Sequence, residues 1–281
     1  MPLIGSHATI TGGVATGGLS YAAEVGAEVI QVFVSNPRGW AAGLGDAGED
    51  ARLRESGIPV FIHATYMINL GSGNPEVAAK SADGVAHALR RGREIGARGV
   101  VVHAGSAVGW DREQALRQIG DIVLPLLDKL GDDDPDLLFE PMAGQGQMLC
   151  AQAGDLASYL PAVECHPKAG ICLDTCHMFA AGHDLTADGG VAAMLAELGT
   201  VTGSTGAGRV KLVHANDSLL GCGSKRDRHE TIGAGAIGTT PFRELLAHPA
   251  LADTPFVVET PGGKAGHARD IATLKELREQ Q

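Results

Sequence analysis

The apolar patterning of this chain specifies a single α/β domain over residues 1–281, a (β/α)8 or TIM barrel. Three observations carry that expectation. Short β-branched or apolar runs recur eight times, in a chain of 281 residues where such barrels typically take about 250. Segments with helical spacing and recognisable caps lie between most of them. Most of the runs also end on a histidine or a carboxylate, and barrels of this kind build their sites at the C-terminal ends of their strands.

The runs are PLIGSH (2–7), AEVIQVFV (27–34), PVFIH (59–63), GVVVH (99–103), DLLFE (136–140), GICLD (170–174), VKLVH (210–214) and PFVVE (255–259). Continuous apolar strands alternating with helices indicate a parallel sheet covered on its outer face. Asn74-Pro75-Glu76 predicts an N-cap with proline at the first helical position, and the helix it opens should end near Gly96. Asp111 predicts a cap for the segment carrying Leu116, Ile119, Val123 and Leu126, which Pro125 should bend or end. Thr240-Pro241 is expected to open a further helix as Asn74-Pro75 does. An open doubly wound sheet is the runner-up, but no GxGxxG follows the first run to support it. Nor does a linker, repeat or low-complexity stretch divide the chain.

Composition narrows the class. Hydrophobic residues make up 44% and charged residues 20%, as in a soluble globular protein. The amino terminus, MPLIGSHATI, lacks the basic and long apolar regions of a signal peptide, and no apolar run approaches the ~18 residues of a membrane span. Five scattered cysteines with no CxxC pair point to free thiols in a reducing compartment, so the cytoplasm is the expected location. Nothing in the sequence marks an interface, and a monomer without an obligate protein partner is expected. The net charge of −11, from 33 acidic against 22 basic side chains, argues against a protein that coats nucleic acid non-specifically. It leaves room for a local cationic site.

His63, His103, Glu140, Asp174, His214 and Glu259 each close a predicted strand, so a barrel would bring all six to one mouth. Two carboxylates and two histidines suffice for one divalent ion with N/O ligation, so six such groups imply more than one. His177 follows Asp174 where the strand turns into its loop. The stretch RDRHETIGAGAIG (226–238) adds Asp227 and His229, whose side chains share one side of an extended Asp-x-His. His177, Asp227 and His229 make a set of three protein ligands with an open position, as catalytic zinc sites have. His7 also ends a strand and is expected to support a ligand rather than to be one. His87, His166, His248 and His267 read as surface or helix residues, while His183 lies in a loop. Cys176 lies between ligands, but a lone thiol among hard carboxylates is the weaker candidate.

Seven stretches together resemble endonuclease IV, the zinc-dependent apurinic/apyrimidinic endonucleases. They are IHATYMINL (62–70), VVHAGS (101–106), FEPMAGQG (139–146), LDTCHMFAAGHDL (173–185), VHANDS (213–218), DRHETIGAGAIG (227–238) and VVETPG (257–262). They run in family order along essentially the whole chain. GSHATITGG, VVHAGS, Pro141 and the NPRGW loop (36–40) depart from the usual pattern, and none of these departures removes a ligand position.

The resemblance implies three zinc ions: one on His63, His103 and Glu140, a second on Glu140, Asp174, His214 and Glu259, and a third on His177, Asp227 and His229. N/O ligation also accepts manganese or iron at some of these positions. Implied too is hydrolysis of the phosphodiester 5′ to an abasic site in duplex DNA during base excision repair, with a 3′-hydroxyl and a 5′ deoxyribose phosphate as products. Glu140 would bridge two ions and Glu259 would also orient water. Arg38, Tyr66 and Met67 would open the duplex, wedge side chains of this kind being able to unstack base steps. Trp40 would support the Arg38 loop, and Lys225, Arg226 and Arg228 would face phosphate. Three divalent ions among four ligand carboxylates would make the mouth net positive on an acidic protein. A xylose isomerase-like sugar isomerase or epimerase is the alternative. It would use one ion on Glu140, Asp174, His214 and Glu259, and it leaves the remaining histidines unexplained.

Overall fold

Eight parallel strands close into a barrel in a computed structural model that describes residues 1–203 and 209–280. They are β1 (Ile4–His7), β2 (Ile30–Phe33), β3 (Val60–His63), β4 (Gly99–His103), β5 (Asp136–Glu140), β6 (Ala169–Asp174), β7 (Val210–His214) and β10 (Phe256–Val258). Neighbours run in the order β1-β10-β7-β6-β5-β4-β3-β2, so each expected run becomes a barrel strand, with ends within a few residues of those expected. A two-stranded antiparallel ribbon, β8 (Asp217–Ser218) with β9 (His229–Glu230), stands outside the barrel and was not expected.

Helices cover the outside: α1 (Val14–Val25), α2 (Ala47–Glu55), α3 (Pro75–Ile95), α4 (Arg112–Leu127), α5 (Leu156–Ala162), α6 (Thr175–Ala181), α7 (Gly190–Thr202), α8 (Thr239–Ala247) and α9 (Gly263–Glu279). The caps act as their chemistry predicts. Asn74 Oδ1 accepts from the N–H groups of Glu76 and Val77, and α3 stops at Gly96, whose φ of 70° suits a residue without Cβ. Asp111 accepts from Gln114 N at the start of α4. Pro125 does not end that helix, which runs two residues further to Leu127. It lies in the last turn, where the one backbone acceptor it abandons belongs to exposed Asp121 and can reach water. The helix expected from Thr240-Pro241 opens two residues earlier, at Thr239 with Gly238 in the cap position. Pro241 still falls in the first turn, where no backbone donor is needed.

Between strands and helices lies a continuous apolar core that includes Tyr159, Phe139, Phe242 and Phe256, all fully buried. A second cluster fills the barrel itself: Val29, Phe61, Val101, Leu138, Cys172, Leu212 and Val257. Alternate residues of a strand point the same way. Two positions after each of these seven stand Gln31, His63, His103, Glu140, Asp174, His214 and Glu259. The apolar plug therefore forms the floor of a polar mouth. Among the described residues, no helix is long and apolar enough to cross a membrane.

Candidate metal centre at the barrel mouth

Strand register brings the donors side by side. His103 on β4 is paired with Glu140 on β5, and Asp174 on β6 with His214 on β7. Glu140 is 1% exposed, and its Oε2 lies 3.4 Å from His63 Nε2 and 3.6 Å from His103 Nε2. Its Oε1 lies 3.2 Å from His214 Nδ1 and 3.2 Å from His177 Nδ1. Glu140 thus faces two donor groups at once, with one oxygen toward each. Glu259, just past β10, has Oε2 3.4 Å from His214 Nδ1.

A third group gathers beside these. His177 is not on a loop: α6 starts at once after Asp174, which caps it by accepting from His177 N at 2.9 Å. Asp227 lies 3.2 Å from His177 Nε2 and 3.0 Å from His229 Nε2, one carboxylate oxygen toward each ring. His229 is held by the β8–β9 ribbon rather than by a free loop. Asp174 comes within 3.5 Å of His229 Nε2, and Cys176 also lies within ligating reach of Asp227 and His229. Burial pushes the Cys176 thiol up to about 12, so it stays protonated beside them.

The electrostatics follow from packing acids against imidazoles out of water. Burial opposes the ionisation of Glu140, yet the His214 charge and hydrogen bonds from His177 and His214 hold it well below the usual carboxylate range. Glu259 and Asp227 are held down in the same way by neighbouring histidines. Burial likewise works against charging His229, but Asp174 and Asp227 raise it to about 9, and acidic neighbours hold His177 and His214 well above the ordinary histidine value. His103 goes the other way, lowered to about 4 by burial.

Glu140 Oε2, His177 Nε2 and His229 Nε2 are buried without a hydrogen bond. Such orphaned atoms normally cost stability. Here they converge on other lone-pair donors, an arrangement that fits cations rather than further hydrogen bonds. N/O donors in three-membered groups, His63/His103/Glu140, Glu140/Asp174/His214 and Asp174/His177/His229, suit zinc, manganese or iron, and binding would displace the protons that the imidazoles carry.

Four supporting residues escaped the reading of the strand ends. Asn216 Nδ2 donates to Asp174 Oδ2 at 2.7 Å, and its Oδ1 accepts from Glu259 N at 2.8 Å. Asp217, fully buried, accepts from the backbone of Ser218, Gly233, Gly235, Ile237 and Gly238, and so ties down the glycine-rich stretch after His229. A Cβ on Gly235 would stand 2.5 Å from Asp217 Oδ1, so only glycine fits there. Thr65 Oγ1 donates to the carbonyls of Pro37 (2.9 Å) and Gly39 (3.1 Å), which joins the Arg38 loop to the Tyr66–Met67 loop. The fourth is Gln31, the one polar residue of β2, and a glutamine between apolar neighbours was its signal in the sequence. His7 supports Glu259, with Nδ1 3.1 Å from Oε1, as expected. His267 sits in α9 and is buried, bonded to Tyr21 and to Thr260 O.

The expected nucleic-acid contacts stand at the rim. Arg38, Lys225, Arg226 and Arg228 are exposed and form no ion pair among the described residues. Tyr66 and Met67 are exposed as well, with the Tyr66 ring 5.1 Å from His63 and 5.5 Å from His103. Trp40 is half-buried and packs on the core below the Arg38 loop.

Residues 19–277 match the family of xylose isomerase-like TIM barrels. A probable endonuclease 4 of Streptomyces coelicolor is 51% identical across 98% of this chain and 95% of its own length. One from Nitratidesulfovibrio vulgaris is 36% identical across 99% of both. This chain belongs to the endonuclease IV family. The crystal structure of endonuclease IV from Thermus thermophilus superposes over 100% of both chains with a TM-score of 0.86 at 32% identity. A D-tagatose 3-epimerase-like protein superposes with a TM-score of 0.74 at 17% identity, a likeness of fold alone. Within the endonuclease IV family, this chain is therefore a metal-dependent hydrolase on a xylose isomerase-like TIM barrel.

Proposed function

We propose that the chain hydrolyses the phosphodiester 5′ to abasic sites in duplex DNA, leaving a 3′-hydroxyl and a 5′ deoxyribose phosphate, with three zinc ions at the barrel mouth. The observation that carries this reading is the clustering of eight of the nine expected ligands, with Glu259 3.4 Å from His214 Nδ1 beside them, around buried, hydrogen-bond-free atoms on Glu140, His177 and His229. His63, His103 and Glu140 would hold one ion. Glu140, Asp174, His214 and Glu259 would hold the second, and His177, Asp227 and His229 the third. Such ions, when bound, supply an acidified water and positive charge against the phosphate.

The chain's own residues do the rest. Glu259, held through Oε1 by Gln31 and His7, would orient the attacking water as well as bind the ion. Tyr66 is exposed beside the donors, its ring 5.1 Å from His63 and 5.5 Å from His103, and can stack at a distorted base step. Arg38 and Met67 share the work of opening the duplex, which costs a few kcal/mol. Lys225, Arg226 and Arg228 meet the phosphates. A one-ion sugar epimerase needs none of His177, Asp227 or His229, yet Asp227 reaches His177 Nε2 at 3.2 Å and His229 Nε2 at 3.0 Å.

The test uses a labelled duplex carrying a tetrahydrofuran abasic analogue, which cannot undergo β-elimination. The expected result is a cut 5′ to the analogue with a 3′-hydroxyl end, lost on prolonged chelation and restored by zinc. A zinc-loaded chain that leaves this duplex intact overturns the reading and directs assays to sugar isomerisation.

A further inference from the structure

Gln31 is fully buried on β2, in the same ring as the donors and with no assigned role. Its Oε1 lies 2.9 Å from His214 Nε2, and its Nε2 lies 2.7 Å from Glu259 Oε1 and 3.0 Å from His7 Nδ1. Chemistry decides which way the amide faces. An ionised Glu259 only accepts, so the NH2 group must point at it, and Oε1 is left to receive the N–H of His214. That bond keeps a proton on His214 Nε2 and turns Nδ1 toward Glu140 Oε1 (3.2 Å), Glu259 Oε2 (3.4 Å) and Asp174 Oδ2 (3.9 Å). The same amide ties Glu259 through Oε1 and leaves Oε2 facing His214.

Three of the other four donor imidazoles are oriented differently. His63 Nδ1 meets Ala64 O at 2.7 Å, His177 Nδ1 meets Pro141 O at 3.1 Å, and His229 Nδ1 meets Glu259 O at 3.3 Å. Backbone carbonyls direct those three rings with Nε2 toward the site. His214 presents the opposite nitrogen and is directed by a side chain.

We propose that Gln31 is the positioning residue that selects Nδ1 of His214 and Oε2 of Glu259 as the ligating atoms of one ion. The proposal rests on the metal-dependent reading of the mouth. An outer partner of this kind typically changes metal affinity about 10–100-fold. Because Gln31 touches neither the His63/His103 pair nor the His177/Asp227/His229 group, its loss should loosen one ion and spare the others.

The experiment follows zinc release from the zinc-loaded full-length chain along an EDTA series, in parallel with the imidazole N–H signals of histidine-15N-labelled protein. Gln31→Met should release one class of zinc at about 10–100-fold lower EDTA while the remaining zinc leaves as in the parent. Its His214 Nε2–H should exchange faster with solvent. Gln31→Glu keeps an acceptor for His214, so that signal should persist, and its zinc release should fall between the two. Uniform loosening of all zinc in Gln31→Met, as a packing defect would give, overturns the proposal. So does unchanged release with an unchanged His214 signal. A parent chain that takes up no more than two zinc ions overturns the three-ion reading instead, and the His214 signal then decides Gln31 by itself.

Discussion

Val29, Phe61, Val101, Leu138, Cys172, Leu212 and Val257 plug the barrel. Gln31, His63, His103, Glu140, Asp174, His214 and Glu259 stand two residues further along the same seven segments. Both rings are largely out of water, yet their physics is opposed. Each large apolar side chain in the plug contributes roughly 1.5–3 kcal/mol on burial. A buried carboxylate above it costs several kcal/mol in desolvation, which neighbouring imidazoles only partly offset. Stability is thus concentrated in the lower ring, and the upper ring is maintained at the expense of stability for chemistry. One step of the strand repeat separates the two roles.

Paired substitutions test that separation. Glu140→Gln should lower incision of the tetrahydrofuran duplex by about 1,000-fold, since electrostatic help from bound ions amounts to several kcal/mol. The chain should stay folded, as judged by thermal melting beside single-turnover kinetics. Leu138→Ala, two residues below, should cost about 2–5 kcal/mol in denaturant unfolding. Its folded fraction should incise within a few-fold of the parent. Equal losses of activity per folded molecule in the two variants would break the comparison.

A smaller effect separates the mouth from the opposite end of the barrel. There Glu28 pairs with Arg278 at 2.7 Å and accepts from Ile4 N at 2.9 Å. Burial opposes its ionisation, but Arg278 and the Ile4 N–H lower it to about 2 from an ordinary 4.5. A group depressed on folding stabilises above its unfolded value, and that contribution fades as pH falls from 4.5 toward 2. Arg278→Ala should therefore flatten the acid side of the stability curve between those pH values and leave incision at neutral pH unchanged. Thr65→Val should have the smallest effect, a few-fold rise in KM for the lesion duplex at constant kcat. It releases the clasp between the Arg38 and Tyr66 loops without touching a donor. A fall in kcat with constant KM would instead place Thr65 in the chemistry.

Much of the fold was legible because its signals are local. The Asn74 and Asp111 caps, the Gly96 stop and all eight strand runs depend on neighbours within a few residues. Pro125 falls two residues before the end of α4 rather than at it, because its cost depends on where the freed carbonyl points, which is a property of the helix in its surroundings. His177 misled because the Asp174 side chain caps a helix directly at the strand end, leaving no loop. The β8–β9 ribbon was invisible in the sequence, its strands being two residues each. Asn216, Asp217 and Gln31 carry ordinary polar side chains whose partners lie far away along the chain. Only the oddity of a glutamine amid apolar neighbours marked one of them.

Local chemistry written along the chain suffices for the barrel, for the donor types at its strand ends and, through resemblance, for the endonuclease IV family. Closure of the barrel alone turns those donors into a centre. It sets His103 beside Glu140 and Asp174 beside His214 through register, and gives Glu140 one oxygen for each of two groups. It also decides which nitrogen of each ring faces inward. Ligation depends on positions fixed to a fraction of an ångström by segments distant in sequence, and patterns along one chain do not carry that information.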